Sequence, residues 1–216
     1  MSMSLRERLL AVLNGGRADA TPWFTDLNYW YHSRNQNGIL PSEFSGPDGL
    51  LALHKNLRVG IYVYPPPLVN TKRDPELFNV TARQRDDLTT EIQIKTPEGV
   101  LTQVTKFCPA SCSTAVLEYP VKTVSDLKCV RAWYEGATYS PNYEAVLECD
   151  MSWGDCGVAL PLLPRTPLAA LHVEWIGLTN LVEILAENPE ELYDTIKVMR
   201  RAEDELYRLV CAAPYP

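Results

Sequence analysis

Apolar residues recur at helical spacing in several stretches of the chain, and polar capping residues precede most of them. In the first stretch Ser4 and Glu7 form a capping box before the apolar residues of positions 5–13, and an Asn-Gly-Gly run ends the helix. Comparable patterns predict helices at 49–57, from 123 to about 134, at 142–151, from 166 to 177, at 180–187 and from 188 to the end.

Three short apolar segments, 21–27, 59–64 and 157–162, are typical of buried strands. Between the second and third the period changes to two: residues 90–96 and 100–107 alternate around turn residues, which predicts a β-hairpin. Apolar strands flanked by helices favour an α/β fold with a parallel sheet, in which the hairpin, about residues 89–107, is an antiparallel insertion. We find no repeat or long linker, so we treat residues 1–216 as one domain.

Composition and charge narrow the function classes. The net charge is −7, from 20 Lys and Arg against 27 Asp and Glu, and no basic block stands out, so neither nucleic acid nor an anionic membrane is an expected partner. The first apolar run, Leu9 to Leu13, is too short for a signal peptide or a membrane span. We therefore expect a cytoplasmic protein with reduced cysteines.

No cysteine or histidine pattern predicts a metal site in this chain. Cys108 and Cys112 are spaced as C-x3-C without a second matching pair, so buried or loop thiols are the stronger interpretation. We expect His54 to face solvent and His172 to lie in a helix, where a lone histidine is more often structural than catalytic. Phosphate-loop, dinucleotide-binding and nucleophile-elbow motifs are absent from the sequence.

Candidate chemistry is therefore positional, because ligands of parallel α/β folds bind outside the carboxyl ends of the strands. Asp26 could act as a general base or anchor a ligand. The alternative is a structural role in a turn or as a helix cap. Arg165 could clamp a carboxylate, with a surface ion pair as its alternative. The other residues at the predicted strand ends are Asn28, Tyr62 and Tyr64.

The order of several motifs resembles the uroporphyrinogen decarboxylase (URO-D) superfamily, from about Leu5 to Leu209. The motifs that carry the resemblance are the opening 5–15, Thr-Pro-Trp at 21–23, the hairpin at 96–101, and the stretches 118–127, 163–168 and 187–192. The resemblance implies a (β/α)8 barrel of the TIM type preceded by helices. Such a barrel needs about 250 residues, so a chain of 216 residues is expected to hold its N-terminal part, about four strands.

Within the superfamily, the resemblance favours the corrinoid-dependent methyltransferases. The arginine-rich run with which the decarboxylase branch binds substrate carboxylates is absent after the first strand, and Arg34 and Arg165 are the only cations near the predicted mouth. The methyltransferase branch holds zinc through a His-x-Cys pair and a later Cys. These ligands would lie beyond Pro216, so we expect no cofactor in this chain.

Methyl transfer between a corrinoid protein and a thiol is accordingly the expected function, with Asp26 and His172 as catalytic candidates. Asn28, Tyr62, Tyr64 and Arg165 are the candidates for binding a small-molecule substrate. A decarboxylase-like lyase with an altered substrate and a non-catalytic fragment or binding module are the alternatives. Half a barrel would leave an unpaired sheet edge, which favours a homodimer or another covering chain.

Overall fold

The computed structural model describes residues 2–62 and 65–214, and its fold is of the mixed α/β class. The chain divides into two compact units. The first comprises Met1–Leu68 and Asn142–Leu163, and the second comprises Val69–Pro141 and Pro164–Pro216.

The first unit is mainly helical. Its helices are α1 (Leu5–Leu13), α2 (Asn28–Gln36), α3 (Gly49–Leu57) and α5 (Tyr143–Trp153). Helix α5 lies in chain order between the two stretches of the second unit. The three apolar segments predicted as strands meet only through isolated bridges, Phe24 with Gly60 and Ile61 with Gly157. Both bridges are parallel, so the predicted direction of the pairing is confirmed. In the described residues, however, neither bridge continues into a strand.

Two glycines permit this pairing because they let neighbouring segments approach closely. A Cβ atom on Gly60 would lie 2.3 Å from the ring of Phe24, and one on Gly157 would lie 2.5 Å from Cγ2 of Ile61. Such distances leave no room for a side chain, so both bridges require glycine at these positions.

A bidentate ion pair fastens the third segment of the first unit. The Arg6 guanidinium donates to both carboxylate oxygens of Asp150, at 2.8 and 2.6 Å, and to the carbonyl oxygen of Gly157 at 2.8 Å. Oδ1 of Asp150 also accepts from the backbone NH of Ala159 at 2.8 Å. The pair therefore joins α1 and α5 to the segment that bridges with Ile61.

The second unit contains the six strands found in residues 2–62 and 65–214. They are β1 (Val69–Lys72), β2 (Asn79–Gln84), β3 (Thr89–Thr96), β4 (Gly99–Cys108), β5 (Ser113–Glu118) and β6 (Thr138–Pro141). Strands β2 to β5 form a four-stranded antiparallel sheet in chain order, and β1 pairs with β6 in a separate antiparallel ribbon.

The predicted hairpin is confirmed as β3 and β4, with Thr96 paired to Gly99 across the turn. It is the central pair of a larger meander, because β2 pairs with β3 and β5 pairs with β4. All six residues of β2 are exposed, so this strand lacks the buried positions that β3 and β4 have.

The helices of the second unit pack around one apolar core. They are α4 (Leu127–Glu135), α6 (Pro167–Ala170), a π-helical segment (Leu171–Ile176), α7 (Leu178–Glu187), α8 (Pro189–Ala202) and α9 (Asp204–Cys211). Leu127, Leu171 and Met199 have no exposed surface in this core. The predicted starts near Thr123 and Thr166 and the stop at Gly177 are confirmed, whereas the predicted final helix is interrupted at Glu203.

We expect Arg6→Ala to destabilise the first unit by about 2–3 kcal/mol, because it leaves the largely buried Asp150 carboxylate without its cation. Urea unfolding measures the loss. The control is Lys197→Ala, whose partner Asp194 is as exposed as the lysine, and it should change stability by less than about 0.5 kcal/mol. Equal stability of Arg6→Ala and the unmodified protein would show that the pair does not fasten this unit.

Candidate functional site

Three of the predicted site residues, Asp26, Asn28 and Tyr62, lie in the first unit at the carboxyl ends of the bridged segments. Asp26 is exposed, and its Oδ1 accepts from the backbone NH of Asn28 at 2.9 Å. This hydrogen bond, from the backbone NH two residues on, is the turn role that was given above as an alternative for Asp26. Oδ2 of Asp26 has no partner in the described part of the chain and stays available to a ligand.

Asn28 is the first residue of α2 and is only 9% exposed. Its Nδ2 has no hydrogen-bond partner among the described residues. A buried amide donor without a partner costs about 1–3 kcal/mol, so an oxygen or sulfur acceptor of a bound molecule would be stabilised there.

Tyr62 follows the second segment and is half-buried. The ring of Phe24 contacts the ring of Tyr62 edge to face, with centroids 6.5 Å apart, so these two residues at the ends of the bridged segments pack together. Tyr64, the fourth residue predicted for this mouth, lies outside the described residues.

The prediction that His54 faces solvent is wrong, because the residue has no exposed surface. Neither ring nitrogen has a hydrogen-bond partner in the described ranges 2–62 and 65–214. Desolvation lowers the pKa of His54, while the backbone at Val59 and Gly60 and the carboxylate of Asp26 act in the opposite direction. The imidazole is therefore neutral at pH 7.

Helical spacing could have revealed this burial. His54 follows Leu50 by four residues, so both lie on one face of α3, and Leu50 packs against the apolar clusters of the first unit. Asp26, Asn28 and His54 together offer a carboxylate, an amide donor and a neutral imidazole. This set can accept a proton and orient an uncharged polar substrate.

The remaining predicted residues, Arg165 and His172, belong to the second unit. A guanidinium nitrogen of Arg165 lies 2.8 Å from Oε1 of Glu174, and both side chains are about half exposed. This is the surface ion pair given above as the alternative for Arg165. His172 is half-buried on the π-helical segment and lines an apolar cavity of about 520 Å³.

A buried acid in the second unit escaped the sequence analysis. Glu203, between α8 and α9, is 3% exposed, and its Oε2 has no partner among the described residues. Burial raises the pKa of Glu203 to about 7, and the carboxylate of Glu174 acts in the same direction. Burial also raises the pKa of the neighbouring Tyr134 to about 12. Nothing in the sequence around Glu203 distinguishes it from the exposed acids of α8 and α9.

Metal-binding and membrane-spanning features were also sought. Among the described residues, no three His, Cys, Asp or Glu side chains lie close enough together to hold a metal ion. No single helix in the same residues is long and apolar enough to cross a membrane. The helices 167–176 and 178–187 meet that criterion only as a pair bent by 117°.

Comparison of the chain with known protein families, with curated proteins and with solved structures gives no match. The site is therefore interpreted from its own residues and from the resemblance noted in the sequence.

We expect His54→Leu to reduce the loss of stability at acid pH. The pKa of His54 is lowered on folding, so the unfolded chain binds a proton first, and the unmodified protein loses stability as the pH falls below about 6.5. Urea unfolding between pH 4.5 and 8 measures the difference between the variant and the unmodified protein. His32→Leu, on the neighbouring α2, is the control, and an equal effect of both variants would contradict the assignment to His54.

Glu203→Gln should have the opposite pH dependence. The pKa of Glu203 is about 7 in the folded protein against 4.5 in the unfolded chain. The contribution of the protonated carboxyl group to the free energy of unfolding is therefore complete below pH 4.5 and is lost as the pH rises through 7. The variant should gain about 2–3 kcal/mol relative to the unmodified protein between pH 4.5 and 8. Glu205→Gln, two residues away on α9 and half exposed, should show no such gain in the same urea series.

Proposed function

We propose that this chain is part of a URO-D-superfamily enzyme and that its first unit supplies the opening strands of a (β/α)8 barrel. The parallel pairing carries this proposal. The segment at Phe24 pairs with the one at Gly60, and that segment pairs in turn with the one at Gly157, so neighbours follow chain order. Helices α2 and α3 connect the first two segments, as in the repeating unit of such a barrel.

The charges favour methyl transfer to a thiol over decarboxylation. A porphyrinogen with eight carboxylates needs several free cations, and of the two arginines that the sequence offered for the mouth, Arg165 is already paired with a carboxylate. The guanidinium of Arg34 lies 4.7 Å from the centroid of the Trp30 ring, and Arg165 pairs with Glu174. A thiol is uncharged when it binds, so it needs no cation.

The residues of the first unit then have distinct roles. Nδ2 of Asn28 donates to the thiol sulfur, and Oδ2 of Asp26 accepts the thiol proton. The imidazole of His54 is buried and neutral, so it adds no positive charge near Asp26. A corrinoid on a partner protein would supply the methyl group and retain the electron pair of the broken bond, while the sulfur forms the new bond to carbon.

The described residues do not fit a zinc ion, so no step of this proposal passes through a metal. The proton transfer to Asp26 provides the activation of the thiol that the chain's own residues can supply.

Methylcobalamin and 2-mercaptoethanol test the proposal under anaerobic conditions, with the methyl thioether measured by mass spectrometry. We expect Asp26→Asn to lower the rate by about 100-fold, because the amide keeps the oxygen that accepts from the backbone NH of Asn28 but cannot accept the proton. Asp48→Asn, an exposed acid of the same unit, should leave the rate unchanged.

Two results would overturn the proposal. Release of CO2 from uroporphyrinogen without thioether formation would indicate the lyase alternative. The absence of both reactions, in protein that is folded by circular dichroism, would indicate a binding module.

A further inference from the structure

The second unit contains a cavity of about 520 Å³ that neither the ion pair of Arg165 nor the acid at Glu203 involves. It lies between α6, α7 and α8, and its volume is within the range of small-molecule sites. Leu178, Val182 and Leu185 line it from α7, and Tyr193 lines it from α8.

The apolar lining is unusually exposed. Leu178, Val182 and Leu185 expose 62, 56 and 42% of their surface, and Tyr193 exposes 54%. The other face of α7 is buried in the core through Leu181 and Ile184. A molecule that fills the cavity would remove this apolar surface from water, which favours binding.

A π-helical segment places one imidazole on the cavity wall. The backbone NH of Gly177 donates to the carbonyl oxygen of His172 at 3.1 Å, which is the i to i+5 hydrogen bond of a π-helix. Such segments are rare and occur frequently at functional sites. His172 is half-buried, and Thr166 and Tyr193 add a hydroxyl each to the same lining.

The chemistry of the wall selects the ligand. Among the described residues, neither a lysine or arginine nor an aspartate or glutamate lines the cavity, so a charged head group of either sign would find no ion-pair partner there. The side chains of α7 that face it are aliphatic, which suits a flexible hydrocarbon chain better than a stacked ring. His172 can exchange one hydrogen bond with an uncharged head group.

We propose that this cavity binds an aliphatic molecule of medium chain length with a neutral hydrogen-bonding head group, such as an alkanol, and that His172 receives the head group. The concave shape and the single imidazole distinguish it from a flat surface for a membrane or a second copy of the chain.

Displacement of the fluorescent probe N-phenyl-1-naphthylamine by 1-decanol measures binding to the whole chain. We expect one site per chain. Val182→Glu places a charge on the lining at an exposed position and should weaken binding more than tenfold. Val173→Glu is the matched control, because Val173 is 40% exposed on the π-helical segment and does not line the cavity, so its affinity should be unchanged.

The head-group assignment has its own test. His172→Leu should weaken 1-decanol about three- to tenfold, the worth of one hydrogen bond, and should leave the probe affinity within twofold. Decanoate and decyltrimethylammonium should both bind more weakly than 1-decanol.

Several outcomes would overturn the proposal. They are no displacement by 1-decanol, equal loss in Val182→Glu and Val173→Glu, and preference for either charged amphiphile. Two further outcomes would overturn it if Val182→Glu abolished them and Val173→Glu did not. One is sedimentation of the protein with phosphatidylcholine vesicles. The other is a dimer in light scattering that 1-decanol does not dissociate.

Discussion

The first unit depends on the ion pair between Arg6 and Asp150. Parallel bridges at Phe24 and Ile61 supply only a few backbone hydrogen bonds, which are too few to hold three segments in register. Arg6 and Asp150 add side-chain bonds to the backbone of Gly157 and Ala159, so the third segment is held from both sides. The positions of the residues at the carboxyl ends, and thus the candidate site, follow from this network.

Polar groups buried without a partner mark each unit, and they have opposite electrostatic consequences. His54 is held neutral and resists protonation, whereas Glu203 is held protonated and resists ionisation. Between about pH 4.5 and 6.5 the two groups change the free energy of unfolding in opposite directions. A flat stability profile of the whole chain in this range would therefore conceal two steep dependences.

Residue patterns within a few positions of each other predicted the hairpin and several helix starts, because turns and caps form between near neighbours in the sequence. The alternation on both sides of residues 97–99 predicted β3 and β4, and capping residues located the starts of α1 and α6. Strand β2 has only two apolar residues, Val80 and Ala82, a pattern too short to predict a strand, and all six of its residues are exposed. The burial of Glu203 and of His54 depends on tertiary packing, although the spacing of His54 from Leu50 pointed to a shared face.

For the proposed function, the pairing of cations limits the choice of substrate. Arg165 already pairs with Glu174, so an anionic substrate would have to displace that carboxylate, whereas Arg34 lies against the neutral ring of Trp30 and keeps its charge. An uncharged substrate meets no such competition, and the neutral imidazole of His54 does not attract an anion either. In the proposed methyl transfer, substrate selection would therefore rest on hydrogen bonding by Asn28 and Asp26, which favours a group that binds neutral and loses a proton afterwards.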